Sequence, residues 1–171
     1  GPPAQGNSIR KKYVSIDKLT FRKVLGRFAT GITVVTGKSK DNIAVGLTVN
    51  AFTSLSLAPP LVLFCLDKST ASIHAFNKGD GFALNMLDED QQELSVKFSS
   101  KIEDRFAGVE FDTWDTGVPI LSGCLANLEC IIDAVHDGGD HLIIVGRVNR
   151  IAQVEEGKPL LYFDGAYGRI A

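Results

Sequence analysis

Two different hydrophobic periods run along this chain. Ile16, Leu19, Val24 and Phe28 recur at near-helical spacing, which predicts a helix over residues 16–28, N-capped by Ser15 and ended by Gly31. From Gly31 the texture becomes β. Gly31-Ile32-Thr33-Val34-Val35-Thr36-Gly37 is rich in β-branched residues and reads as a strand. Lys38–Asn42 is a polar turn, and Ile43–Phe52 reads as a second strand that can form a hairpin with the first. Pro59-Pro60 interrupts the chain before Leu61–Leu66, an apolar run whose length suits a buried strand. Ser69–Phe76 reads as a short helix capped by Ser69 or Thr70, and Phe82–Leu87 as another strand. Asp88 caps a helix over 89–99, with Gln91 three residues on as in a capping box. Residues 100–123 are mixed and loop-rich.

The clearest local pattern is a long hairpin. Ala126, Leu128, Cys130, Ile132 and Ala134 form one apolar face, and Leu142, Ile144, Gly146 and Val148 its counterpart. Asp137-Gly138-Gly139-Asp140 lies between them and supplies the positive φ of a turn. Leu160–Phe163 is a last strand, followed by Gly165-Ala166-Tyr167-Gly168. The pattern predicts about six or seven strands with two or three helices. Strands rarely alternate with full-length helices, which disfavours a doubly wound parallel sheet. A mainly β, mostly antiparallel small barrel with peripheral α-helices fits better.

Composition narrows the class. The 171 residues suit one domain, taken as 15–171, preceded by an arm over 1–14 that carries Arg10, Lys11 and Lys12. The Gly1-Pro2 start reads as a processing product or an expression scar, so residues 1–8 stay out of the fold. With 44% hydrophobic and 22% charged residues, long disorder is not expected. Lys+Arg 18 against Asp+Glu 20 gives a net charge of -2, which argues against a general nucleic-acid binder. No apolar run approaches the roughly 20 residues of a bilayer helix, and the start has no signal-peptide core. Cys65, Cys124 and Cys130 show no CxxC spacing. On one strand, Cys124 and Cys130 lie about 20 Å apart at roughly 3.3 Å per residue, too far for a disulfide or a shared zinc ion. Buried free thiols in a cytoplasmic protein without a metal site are expected.

Several familiar sites are absent. There is no GxxxxGK[ST] loop, no GxGxxG after a strand and no GxSxG elbow. Asp88, Glu89, Asp90 and Glu93 cluster at a helix start, where the helix dipole alone accounts for them. Four segments remain. Val45–Ser54 carries Gly46 and small polar groups along one strand, either a backbone platform for a flat ligand or a polar outer face. Asp67–Ser72 enters the short helix and reads as an anion site or as plain capping. Gly138-Gly139-Asp140-His141 is a turn with a histidine able to donate a hydrogen bond. Leu161–Gly168 sets aromatics beside glycines, which hold a planar ring or simply form core and turn. His74 and His136 read as structural.

Taken in order, these segments resemble the short-chain flavin reductase family, the reductase component of two-component flavin-dependent monooxygenases. The similarity runs from Phe21–Thr36 through Val45–Leu57 and Pro59–Cys65, then Asp104–Gly108, Gly139-Asp140-His141 and Leu160–Phe163. The resemblance implies an FMN-binding split β-barrel, Greek-key-like, normally a homodimer with flavin near the subunit interface. It implies NAD(P)H-dependent reduction of FMN or FAD for a separate oxygenase component. The flavin positions it implies are Ala44, Val45, Gly46, Leu47, Thr48, Asn50, Ala51, Cys65, Leu66, Asp67, Ala71, Ser72, Lys97 and Phe98. Nicotinamide falls to His141, the implied catalytic residue, and to Tyr162, Phe163, Asp164, Gly165 and Tyr167.

Such a reaction is hydride transfer from nicotinamide C4 to flavin N5 and needs no protein nucleophile; the protein orients two rings at about 3–3.5 Å. Gly46 and Ala51 permit close approach, while Ser69, Thr70, Ser72 and Lys97 can neutralise phosphate. Asp140 shapes the turn. Ala58 stands where relatives usually carry an acidic residue, with little effect expected. Asp164 stands where many carry Arg, which favours NADH and leaves NADPH possible. Two alternatives stand beside this: a non-catalytic or electron-transfer flavin-binding protein of the same barrel, and a split-barrel oxidase or haem-binding relative. Gly139-Asp140-His141 and Asp104-Arg105-Phe106 argue against the latter.

Overall fold

The computed structural model describes residues 11–171; Arg10 and the 1–8 stretch lie outside the described residues. Of the expected arm only 11–14 is described, and it carries no helix or strand. Helix α1 is Lys18–Leu25, shorter than the pattern over 16–28. Asp17 is its N-cap and accepts the Thr20 N–H at 2.9 Å. Ser15 instead donates its hydroxyl to Asp17, because the carboxylate is the better-placed acceptor. Gly26, not Gly31, closes the helix.

Twelve strands follow. The first seven elements after α1 are β1 (Thr30–Gly31), β2 (Thr33–Lys38), β3 (Ala44–Val49), β4 (Phe52–Ser56), β5 (Leu61–Asp67), a 3-10 turn (Ile73–Ala75) and β6 (Gly81–Met86). Then come α2 (Gln92–Ser99), β7 (Phe111–Thr113), β8 (Pro119–Leu121), β9 (Ala126–Gly138), β10 (His141–Gln153), β11 (Leu161–Phe163) and β12 (Ala166–Gly168). The expected β9–β10 hairpin is present and longer than its apolar faces suggested. The expected helix over Ser69–Phe76 shrinks to the 3-10 turn, with no side-chain cap. Ser69 gives both its N–H and its hydroxyl to Asp67. At α2 the start moves to Gln92: the Gln91 side chain accepts the Asp88 N–H as a capping box requires, but Asp88 takes the Asp90 N–H. The loop-rich stretch hides the short β7–β8 pair.

The main sheet is antiparallel throughout, in the order β3-β2-β6-β9-β10-β5-β4. The single strand expected over Ile43–Phe52 is therefore two strands, and they form opposite edges of this sheet. Laid flat, six inter-strand gaps of about 4.8 Å separate those edges by roughly 29 Å. Yet only Asn50 and Ala51 join them, and three Cα steps of about 3.8 Å reach about 11 Å. The sheet must curl until its edges meet. The Cys65 N–H donates to the Ala51 carbonyl at 3.0 Å and pins that corner. The result is a split barrel, and β1, β11 and β12 form a second, three-stranded sheet beside it.

The two larger hydrophobic cores lie on either side of the barrel wall, and a small third one gathers Ala83, Val118 and Ile120. Phe64 meets Phe76 and Phe82 edge-on at 5.7 and 5.1 Å, among Val35, Leu84, Ile132 and Ile144. Ile32, Val34, Leu87, Phe98, Leu121 and Leu160 pack outside it. Val34 and Val35 thus face opposite cores, and β2 is apolar on both faces because both are covered. Buried Asn85 ties the wall together. Its amide donates to the Val34 carbonyl and Thr36 hydroxyl, and its oxygen accepts from Leu121 N–H and Asn127. Among the described residues no helix is long and apolar enough to cross a membrane.

Candidate functional site

Ala44, Val45, Gly46, Leu47 and Thr48 lie on β3, which pairs with β2 alone among the described strands, so its other edge has no strand partner and is met there only by Arg105 at the Gly46 carbonyl. Asn50 and Ala51 follow as the exposed corner link. Across that corner stand Cys65, Leu66 and Asp67 at the end of β5, then Ala71 and Ser72 before the 3-10 turn. Asp67 and Ala71 are exposed, Cys65 and Ser72 half-buried, and Leu66 fully buried. Lys97 and Phe98 come from α2, which packs on β3. Lys97 donates to the Ala107 carbonyl. Phe98 is buried behind β3 rather than facing solvent. A Cβ on Gly46 would lie 2.7 Å from the Phe98 ring and 3.2 Å from Phe106, so this glycine admits those rings to the strand. Its carbonyl accepts from Arg105 at 2.8 Å, and Arg105 also donates to the Phe98 carbonyl.

His141 opens β10 and pairs in register with Asp67 on β5 and Gly138 on β9. Its Nδ1 lies 2.8 Å from the Asp140 carboxylate, and Gly139 takes the positive φ of the turn, 74°. The hydrogen bond to His141 lowers the Asp140 pKa below the usual carboxylate value. Asp67 is lowered chiefly by the Ser69 N–H and hydroxyl, with His141 adding attraction. Lys68 bonds Asp137 across the same corner, and its N–H donates to the Asp140 carbonyl. The pairing with Asp140 leaves Nε2 as the free nitrogen of the ring.

Tyr162, Phe163, Asp164, Gly165 and Tyr167 form the β11–β12 hairpin. Tyr162 stands opposite Thr30 on β1 and meets the Tyr167 ring edge-on at 5.5 Å. Thr30 Oγ1 is buried without a partner among the described residues, the kind of group a bound polar ligand satisfies. The hairpin joins the β3 region through Ser95, a residue without any signal in the sequence. Ser95 Oγ lies 2.8 Å from the Tyr167 hydroxyl, and its carbonyl accepts from Thr48 at 2.8 Å. No hydrogen bond among the described residues links His141 to this hairpin. The unpaired edge of β3, the exposed Asn50-Ala51 link and the polar groups at the β5 end fit a flat molecule with a polar rim, as a flavin is.

The chain matches the family described as flavin reductase like domain over residues 25–171. It is 42% identical to the flavin-dependent monooxygenase reductase subunit HsaB of Rhodococcus jostii, over 90% of this chain and 78% of that protein. It is 43% identical to the FMN reductase (NADH) SmoA of Agrobacterium fabrum, over 89% of this chain and 86% of that one. Among solved structures, the NADH:FAD oxidoreductase SgcE6 of Streptomyces globisporus, in complex with NAD and FAD fragments, superposes with a TM-score of 0.89. That likeness covers 94% of this chain and 98% of SgcE6, at 33% identity. With the family matched from the end of α1 to the last residue, on the same barrel, this chain belongs to the flavin reductase family.

Proposed function

We propose that this chain, a flavin reductase by family, oxidises NADH, reduces FMN or FAD and passes the reduced flavin to a separate monooxygenase. The observation that carries this is the match over residues 25–171, supported by the β3 edge that has no second strand partner and by the His141 corner at the end of β5. A bound flavin supplies the hydride acceptor; the chain's residues bind and orient. The backbone of Ala44–Thr48 and the Asn50-Ala51 link hold the polar rim, with Leu66 and Phe98 as buried backing. Cys65, Asp67, Ala71 and Ser72 bound the corner, and Lys97 offers a cation for phosphate. Ser69 is a weaker phosphate ligand than its sequence suggests, since Asp67 already holds its N–H and hydroxyl.

His141 is the residue for the nicotinamide carboxamide, oriented by Asp140. Tyr162, Phe163, Asp164, Gly165 and Tyr167 form the coenzyme wall. A homodimer is supported by α1, whose residues are all unburied in the single chain. A cytoplasmic setting is supported by three unpaired thiols. We take 15–171 as one domain.

His141→Ala tests the site. The expected outcome is a raised NADH KM and a lowered kcat with flavin affinity kept, since His141 stands off the β3 edge. Unchanged NADH kinetics would remove His141 from the reaction.

A further inference from the structure

The turn between β11 and β12 is Asp164-Gly165, with φ of 54° and 77°, the left-handed pair of a type I′ hairpin. It is docked on the end of α1: the Asp164 N–H donates to the Gly26 carbonyl at 2.8 Å. Arg27 follows Gly26 and lies against the same turn. Its guanidinium sits 4.9 Å from the Phe163 ring centroid, and its Nη1 donates to Asp164 Oδ2 at 3.2 Å. The side chains are 65% and 53% exposed, so a ligand can reach both. A carboxylate and an arginine are the two groups that coenzyme sites use to tell the riboses apart. The acid accepts from a free 2′-hydroxyl, and the arginine takes a 2′-phosphate. Here they hold each other.

We propose that the Arg27–Asp164 pair sets coenzyme choice: Asp164 engages Arg27, withholds it from a 2′-phosphate and itself meets the 2′-hydroxyl, so that NADH is selected. This rests on the β11–β12 hairpin being the coenzyme wall. The exposed pair is weak enough to exchange partners. Each unit of charge about 4 Å from a phosphate changes affinity about fivefold in water. Removing the carboxylate both lifts a repulsion and frees the arginine.

The test compares kcat/KM for NADH and NADPH in the native chain, Asp164→Asn, Arg27→Gln and the double variant. Asn also tolerates positive φ, so the turn is kept. Asp164→Asn is expected to raise the NADPH/NADH ratio about fivefold or more, through gained NADPH and lost NADH efficiency. Adding Arg27→Gln is expected to cancel the rise, and salt to shrink it. Calorimetric titration of flavin-free protein with 2′,5′-ADP and with 5′-AMP reads the same preference without turnover. An unchanged ratio in Asp164→Asn, or a rise that survives loss of Arg27, overturns the proposal. Phe163→Ala separates the two levels. If it raises the NADH KM while Asp164→Asn leaves the ratio unchanged, the specificity proposal alone fails. If neither variant alters NADH or NADPH kinetics, the hairpin is not the coenzyme wall and both fall.

Discussion

Gly146 in β10 faces the Phe82 ring so closely that a Cβ there would lie 2.3 Å from Phe82 Cζ and 3.0 Å from the Cys130 Cβ. Phe82 is fully buried, so the ring has little room to retreat. Gly146→Ala is expected to destabilise the fold by about 1–3 kcal/mol through overpacking. Gly168→Ala, where the nearest atom is 3.8 Å away, is expected to stay within about 0.5 kcal/mol. Urea unfolding of the two variants checks the contrast, and equal midpoints would contradict it. A single sequence shows Gly146 only as one member of an apolar face; the need for a bare backbone comes from a ring on β6, far away along the chain. The same holds for the residues that organise the site. Ser95 meets Tyr167 across 72 positions, Arg105 meets Gly46 across 59 and Arg27 meets Asp164 across 137.

At the scale of elements, α1 is the anomaly. Leu19, Phe21, Val24, Leu25 and Phe28, in and just after it, are all exposed, and none of its eight residues is buried. Isolated helices below about 12–15 residues are marginal in water, so this one needs a permanent cover. The proposed homodimer would give it one, since a second copy would be a lasting partner. Light scattering is expected to give a dimer mass for the native chain, and Leu25→Glu to lower it towards the monomer; a monomeric native chain would contradict the assignment. The β9–β10 hairpin is legible in the sequence because a Gly-Gly turn separates two alternating runs. The break between β3 and β4 is not, because apolar alternation continues straight across Asn50-Ala51. Barrel closure makes that break, and closure is a demand of the whole sheet. The strands β7 and β8 have three residues each, too few for a period of two to show. Of the site, the segments on β3, β5 and β10 are legible through their order along the chain, which no one segment conveys.

For the whole molecule, the buried thiols link stability to pH. Burial pushes the Cys124 thiol up to about 11 and the Cys130 thiol up to about 12, from 9.0. Above pH 9 the unfolded chain loses these protons first, so rising pH favours unfolding. Between the unfolded and folded values each thiol costs about 1.4 kcal/mol per pH unit. Urea midpoints at pH 8 and pH 10 are expected to fall, and less steeply in Cys130→Ala; an identical fall would contradict the coupling. The proposal that rests on barrel, β3 edge and family is that flavin serves as a substrate of NADH oxidation rather than staying bound. The direct measurement is NADH oxidation by the purified protein with no flavin, with FMN and with FAD. The predicted result is a rate that requires added flavin and saturates with it. Flavin binding without any turnover would contradict the claim and favour a flavin-binding or electron-transfer role on the same barrel.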